Sequence, residues 1–534
     1  MSAEIAREMV ALTKYVLTAD RTLMSEFRHI PNLDFLACTA IESMPLFLFR
    51  RLSPPVPHRD GIALRAPYGL RKVEACLLGS NPPKEVAVTV PDEIHRFLGP
   101  DTKVVGINTM EPIGLGPLTL LASSYADGGL SFAPYFFRQL IGRLRDIRKR
   151  RGLSFKIVVG GSGAWQFEFR PELVEEWGID QVIVGEVDTR ADELFAEAEE
   201  GDHGRIRRVR DFPRVDEMPL IRGAVCHDLV EVMRGCGRNC KFCEPNLRRA
   251  RYYPLDRIRR EVEVNLRAGG HRAWFQSEDI FLYALEDHRE FHPNENAILD
   301  LFRMAMRIPG VAASSATHGT VAPAAAFPEF LGDLSQVLRA GPDKWVGIQT
   351  GIETGSPELM ERIMPLKCKP YDPEEWADVV VQATITFNRN YWFPVYTLIT
   401  GLPGETEEDV WATLDLVDRL ESEVPKAVGK EKTHFWIGVF PFVPIGVMHG
   451  EQAFDLASMM TDARRHLFYR VYRHMIYEFT HANLSTMNNE WLSTGYRVFG
   501  PVGAWFLGRW IEKFARDQGI ESGKAFPNGR PLAV

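Results

Sequence analysis

No uninterrupted apolar run approaches the roughly 18 residues a helix needs to cross a bilayer. The opening residues, MSAEIAREMV, lack the basic-then-apolar pattern of a secretory signal. The apolar stretch VFGPVGAWFLGRW is short and broken by Arg509, so it reads as a packed core helix. Basic charge is not in excess: the net charge of −8 argues against the footprint of a nucleic-acid binder. Local basic runs from Arg143 to Arg151 and Arg248 to Arg251 read as solvated helix faces. The dinucleotide fingerprint G-x-G-x-x-G is missing, which weakens a nicotinamide reading. These absences predict a cytoplasmic protein with no membrane span and no nucleic-acid partner. No repeat or low-complexity tract is visible.

Cysteine is also scarce, with seven in 534 residues. They stand at 38, 76, 226, 236, 240, 243 and 368, and three of them fall within eight positions. Clustering of this kind in a long chain without a secretory signal points to metal binding or catalysis, not disulfides.

What is present is the composition of a globular protein, 45% apolar and 25% charged, at a length that predicts two or three domains. Residues 1–60 read as a helical then irregular segment, with Ile5, Met9, Leu12 and Val16 at helical spacing. Residues 61–205 alternate strand and helix: VVGINT (104–109), FKIVVGGSG (155–163) and QVIVGEVDT (181–189) are buried-strand runs ending in turns. That alternation predicts a doubly wound, Rossmann-like α/β domain with ligands at the carboxyl ends of its strands. Residues 206–454 repeat the alternation, with strands expected within 273–280, 310–318, 344–353, 391–401 and 434–442. This is the rhythm of a (β/α)6-type partial barrel. Residues 455–534 read as helical and rich in arginine and aromatics. Arg464, Arg465, Tyr469, Arg470, Tyr472, Arg473, Trp491 and Trp505 there suit either a grip on a peptide or anion, or a plain packed cap.

The densest signal is MRGC236GRNC240KFC243EP, spacing C-x3-C-x2-C. Seven cysteines scattered at random give this pattern with a probability on the order of 10⁻³. Three thiolates on one loop suit three irons of an iron–sulfur cubane, leaving the fourth iron open. Structural zinc wants four ligands, and no partnered Cys or His pair follows.

With Phe242 before the last cysteine, this motif resembles the signature of the radical S-adenosylmethionine (SAM) superfamily. The resemblance implies a 4Fe–4S cluster on Cys236, Cys240 and Cys243 whose open iron chelates SAM. One electron then cleaves SAM to a 5′-deoxyadenosyl radical that abstracts hydrogen, which also implies an electron donor of flavodoxin or ferredoxin type. Gln276-Ser277-Glu278-Asp279 stands where the superfamily contacts the SAM amino group, with Glu278 the first choice because a carboxylate pairs with an ammonium. IQTGIETGS (348–356) resembles the fourth-strand motif, with Glu353 as ribose contact and Gln349 on the same face by strand alternation. TLITGLPGETEEDV (397–410) resembles the fifth-strand segment of cobalamin-linked members.

A Rossmann-like unit ahead of such a barrel resembles the class with an N-terminal cobalamin-binding domain, and the likeness spans roughly 61–450. It implies that Gly160, Gly161 and Ser162, with Gly185 and Glu186, hold the nucleotide tail. Asn108, Thr109, Met110 and Glu111 would face the corrin, Met110 or Glu111 from below. The chain lacks D-x-H-x-x-G, so cobalt would have no histidine from that motif. Methylthiotransferases share the layout but need three N-terminal cysteines, and only Cys38 and Cys76 precede Cys226. The implied activity is therefore methyl transfer to an unactivated carbon. The layout is also similar to methanogen enzymes that methylate a glutamine or arginine of methyl-coenzyme M reductase, which makes a protein or peptide substrate the expectation. A carbon–carbon coupling or cyclase enzyme with a corrin-free first domain is the alternative within enzymes, and a cluster-bearing sensor the alternative outside them.

Overall fold

The computed structural model describes residues 13–29, 33–124, 129–201, 204–244, 248–455, 458–481 and parts of 505–520. The chain divides into two compact units, residues 1–230 with 253–273, and residues 231–252 with 274–534.

The first unit is built on six strands: Tyr15–Ala19 (β1), Val86–Val88 (β2), Val104–Asn108 (β3), Lys156–Gly160 (β4), Gln181–Val184 (β5) and Ile206–Arg208 (β6). They pair in parallel in the order β2-β1-β3-β4-β5-β6. Both faces are covered, as a parallel sheet requires. Val105, Ile107, Ile157, Val159 and Val182 pack on one side with Phe137, Leu140 and Leu144 of helix Phe132–Arg151. Tyr15, Leu17, Val104, Val158 and Ile183 pack on the other with Leu70 and Leu77 of helix Tyr68–Ser80 and with Phe195 of helix Ala191–Glu200.

Here the sequence expectation needs correcting. Val16, assigned to a helix, lies in β1, inside the sheet and fully buried. Every residue of YVLTA is buried and the strand shows no period at all, so Val16 belongs to a sheet and not to a helix face. Ile5, Met9 and Leu12 lie outside the described residues. With β1 in place, the strand order reverses direction between β1 and β3. Ligands of open α/β sheets bind in the crevice at such a switch point, outside the carboxyl ends of the strands.

Beyond Asp228 the barrel strands follow one another as neighbours. Leu229–Glu231 (β7), Arg272–Gln276 (β8) and Ala313–Ala316 (β9) form one sheet. Val346–Glu353 (β10), Trp392–Thr400 (β11) and Trp436–Pro441 (β12) form another, parallel throughout. A parallel bridge between His318 and Gln349 links the two sheets, giving six strands in barrel order. Intervening helices include Glu295–Arg307, Trp376–Arg389 and Glu407–Val428. Thr406 caps the last, its hydroxyl accepting from Asp409 N while the Asp409 carboxylate accepts from Thr406 N, a reciprocal box that stops fraying. Helix Asp462–His481 follows β12. Among the described residues no helix is long and apolar enough to cross a membrane.

Candidate functional site

The cysteine loop leaves and re-enters regular structure through a small antiparallel clasp, Met233–Arg234 against Arg251–Tyr252. Between its arms Gly235, Gly237 and Asn239 all take positive φ (76°, 83° and 57°). Gly235 has no alternative, since a Cβ there would lie 2.6 Å from Arg248 O. Cys243 N donates to Cys240 O at 3.1 Å, closing the last turn.

Arg238, inside the motif, fixes this loop to the barrel. Its side chain is 1% exposed and faces Asp279, with Nε to Oδ2 at 3.3 Å. Its Nη1 donates to Leu366 O at 2.8 Å and its Nη2 to Thr320 Oγ1 at 3.2 Å. Asp279 is fully buried and also accepts from Thr320 Oγ1 (2.7 Å), Thr320 N and Phe281 N. Each group of this buried pair therefore has several hydrogen bonds, the condition under which such pairs are tolerated.

Burial pushes the Cys236 thiol up to about 12, and raises those of Cys240 and Cys243. The Cys240 and Cys236 thiols add to the rise at Cys243, while the Lys367 ammonium opposes it. The three sulfurs thus feel one another. They do not, however, gather within 4.8 Å as one ion's ligands would; among the described residues that spacing occurs elsewhere. A single tetrahedral zinc would hold its sulfurs about 3.8 Å apart, from Zn–S bonds of about 2.3 Å. Three buried cysteines on one loop suit a cubane, whose cationic irons would reverse the unfavourable charging of the thiols.

Glu278 follows β8 directly. Its Oε2 is buried and has no hydrogen-bond partner, and burial, aided by the nearby Glu231 carboxylate, lifts its carboxyl to about 7. An orphan carboxylate oxygen beside a cysteine loop is the group that an ammonium would satisfy, so the residue fits the role expected of it.

Glu353 is placed differently. A bulge between Gly351 and Glu353 pairs them with the consecutive residues Thr397 and Leu398. The alternation that would put Gln349 and Glu353 on one face is broken there, which corrects the sequence argument. Glu353 adopts φ 60° and is 6% exposed. Its Oε1 meets Lys367 Nζ at 3.0 Å, and its Oε2 accepts from Thr397 Oγ1 at 3.3 Å. Lys367, with its pKa raised chiefly by Glu353 and Cys240 against its burial, stands as a cation beside the thiols. Gln349 pairs its backbone with Thr317 and Gly319 and its side chain with His318. His318 Nδ1 is buried with no partner. Arg238, His318 and Lys367, and the pairing of Asp279 with Arg238, were missed from sequence because each lies in a loop or short turn whose neighbours only the tertiary fold supplies.

The fifth-strand segment closes on Glu405, which accepts from Gly401 N at 2.8 Å and Arg464 Nη2 at 2.7 Å. A cavity of about 410 Å³ opens there, lined by Pro403, Glu405, Phe454, Met459 and Arg464 among others. Of the C-terminal cations, Arg464 pairs with Glu405, Arg470 with Asp418, and Arg473 approaches Glu512. This is the packed-cap arrangement. Trp491 lies outside the described residues; Trp505 is partly exposed beneath Arg509.

In the first unit, the switch point sets Ala19, the last residue of β1, beside Asn108, the last of β3, with Asp20 following the one and Thr109 and Met110 the other. Asp20 is 2% exposed, accepts from Thr22 N and Oγ1, and burial raises its carboxyl to about 6. Thr109 is fully buried, with an unpartnered hydroxyl, and Met110 is exposed. Gly161 (φ 102°) packs on Thr109, where a Cβ would meet Thr109 O at 2.6 Å. Gly161, Ser162 and Gly185 are exposed at this edge, Gly160 partly so, and Glu186 is buried. Glu111 turns into its own loop, accepting from Gly116 N at 3.2 Å. The Gln166 carbonyl meanwhile gathers the N–H groups of Ile113, Gly114 and Leu115. The exposed small residues beside an unpartnered threonine fit a broad ligand; Glu111 does not point to it.

Residues 230–417 match the model of the Radical SAM superfamily, so this segment is a radical SAM domain, the domain of an enzyme. Among curated proteins the chain is similar to the tRNA-2-methylthio-N(6)-dimethylallyladenosine synthase of Thermotoga petrophila, 24% identical over 297 residues, which are 53% of this chain and 59% of that protein. The Mycobacterium ulcerans protein of the same description is 25% identical over 334 residues, 55% and 58% of the two chains. The chain thus spans less than two thirds of the length of these relatives. Among solved structures it is similar to TsrM from Kitasatospora setae, a radical S-adenosylmethionine methyltransferase, with cobalamin and a 4Fe–4S cluster bound. The TM-score is 0.51 at 16% identity, covering 82% of this chain and 74% of that one. The same protein with tryptophan and a SAM analogue gives 0.50, covering 81% and 75%. This likeness establishes the fold, a Rossmann-like unit followed by a partial barrel, as the sequence predicts.

Proposed function

We propose that the chain is a cobalamin-dependent radical SAM C-methyltransferase acting on an unactivated carbon, with a residue of a protein or peptide as acceptor. The observation that carries this reading is the pairing of three buried, mutually interacting cysteines on one loop with the orphan carboxylate of Glu278 beside it. When bound, the cluster and SAM supply a 5′-deoxyadenosyl radical, and the corrinoid supplies the methyl group.

The chain's own part is positioning, charge and exclusion of water. Cys236, Cys240 and Cys243 hold the cluster, and Arg238 locks their loop against Asp279. Lys367, held by Glu353, balances the negative charge of the thiolates. Glu278 receives the ammonium of SAM. At the switch point Asn108, Thr109, Met110, Gly160, Gly161, Ser162, Gly185 and Glu186 hold the corrinoid. An external flavodoxin- or ferredoxin-type protein supplies electrons.

The methylthiotransferase relatives suggest a rival, and the first unit argues against it. Cys38, Cys76 and Cys226 have separate surroundings: Thr119 and Glu111, Asp192, and Leu23 with Glu26, respectively. These thiols share no partner, so they do not supply a second cluster.

The test is to reduce the reconstituted full-length protein with SAM and hydroxocobalamin present and to quantify both small products. Formation of 5′-deoxyadenosine and S-adenosylhomocysteine is expected. Deoxyadenosine alone would transfer the reading to coupling or cyclase chemistry, and neither product would end it.

A further inference from the structure

In the first unit, Glu26, His29 and His227 bring three potential ligand atoms within 4.8 Å of one another. No cysteine is among them. His29 Nε2 lies 3.8 Å from Glu26 Oε2. Around a tetrahedral zinc, nitrogen and oxygen ligands at about 2.0–2.1 Å stand roughly 3.4 Å apart. The present spacing therefore closes onto an ion with side-chain shifts of about 1 Å, which rotation of the exposed His29 imidazole supplies.

The surroundings hold Glu26 in position for this. It is 5% exposed, and its Oε1 accepts from His227 N at 2.7 Å and faces Arg65 Nη1 at 3.3 Å. Arg65 would oppose a cation, but it lies closer to Asp228, at 2.7 Å, and that carboxylate offsets its charge. Asp228 is anchored in turn by the N–H groups of His271 and Arg272. Glu26 Oε2 is left turned toward His29.

The backbone at both histidines is unusual. Phe27, Arg28 and His29 have φ of 42°, 58° and 59°, and His227 and Asp228 have 61° and 58°. None is glycine, and each such residue costs on the order of 1–2 kcal/mol in the left-handed region. Five of them in the two segments that carry this cluster mark a place where the fold imposes geometry on particular side chains.

We propose that Glu26, His29 and His227 form a binding site for a divalent transition-metal ion of the zinc class, with the remaining coordination positions open to water. Two imidazoles and one carboxylate select such an ion over magnesium or calcium, which prefer all-oxygen sets. The ion clasps the segment after β1 to the segment preceding β7, both in the first unit. The site is independent of the cluster and corrinoid reading.

The experiment uses the full-length chain with its cysteine cluster reconstituted, equilibrated with Zn²⁺ and a weak competing chelator, then desalted and assayed for zinc by mass spectrometry. About one zinc per chain is expected, with a rise in Tm on zinc addition. His29→Ala and His227→Ala should each weaken retention at least tenfold and abolish that rise. Melting of each variant without zinc shows that it is folded, and His29→Gln serves if His227→Ala is not. The triple variant Cys236→Ala, Cys240→Ala, Cys243→Ala separates the alternatives. Zinc kept there supports the site. Zinc lost there, zinc bound equally by the histidine variants, or none bound by the native chain would overturn it.

Discussion

Lys367 Nζ lies 3.0 Å from Glu353 Oε1, with both side chains buried, at the point where a bulge turns Glu353 out of strand alternation. Glu353 thus acts first on Lys367, and through it on the cysteine loop. Removing one member of a buried pair strands the other charge, at about 3–5 kcal/mol. Lys367→Met should therefore destabilise the chain strongly in denaturant melts, and Lys367→Met with Glu353→Gln should recover much of the loss. Additive losses in the double variant would show that the two groups are not coupled.

Glu278 carries a pH signature. Its folded pKa, about 7, is raised above the ordinary 4.5 by burial. The folded cofactor-free chain therefore holds a proton that the unfolded chain has released between those values. Stability from this group is present below about pH 4.5 and is lost as pH rises through about 7. Glu278→Gln should flatten that part of the Tm–pH curve. SAM binding should run the opposite way, strengthening as pH rises from 6 to 8, and Glu278→Gln should weaken it by roughly 10- to 100-fold, the range for a charge-assisted hydrogen bond. Calorimetric titration with SAM checks both.

Arg238 cannot be replaced by lysine without loss, because one ammonium does not reach Asp279, Leu366 O and Thr320 together. Arg238→Lys should leave a folded protein that retains its iron poorly on desalting. Full iron retention would show that the guanidinium does not position the loop.

Gly161→Ala addresses the first unit. The added Cβ would stand 2.4 Å from Asn108 Oδ1 and 2.6 Å from Thr109 O, at a φ of 102°. A loss of about 1–3 kcal/mol is expected from strain of this kind, together with weaker retention of cobalamin, measured by absorbance after desalting. Unchanged retention would move the corrinoid away from this turn.

Much of the fold was legible because most strands after residue 100 lie in apolar or alternating runs punctuated by turns: β3, β4, β5 and β9 to β12 fall within the expected segments, and β8 begins one residue before its own. The three-residue β6 and β7 were not expected. β1 was not legible, since five buried residues without a period look the same in a strand and in a buried helix. Its loss hid the switch point. The cysteines and Glu278 were readable from spacing and strand position. Lys367 was not: it lies 14 residues beyond Glu353 and meets it through a short turn after helix Pro357–Ile363, a proximity that no periodicity encodes. Nor was the bulge at Gly351, where the sequence carries a glycine but no sign of which way the strand will slip.

The most direct measurement of the central claim is the iron and cobalt content, with the visible spectrum, of anaerobically purified protein reconstituted with iron, sulfide and hydroxocobalamin and then desalted. About four irons and about one cobalt per chain are predicted, with the iron lost in Cys240→Ala. Iron retained undiminished in Cys240→Ala, or none held by the native chain, would contradict the account. Four irons without cobalt would leave the cluster in place and remove the corrinoid from the first unit.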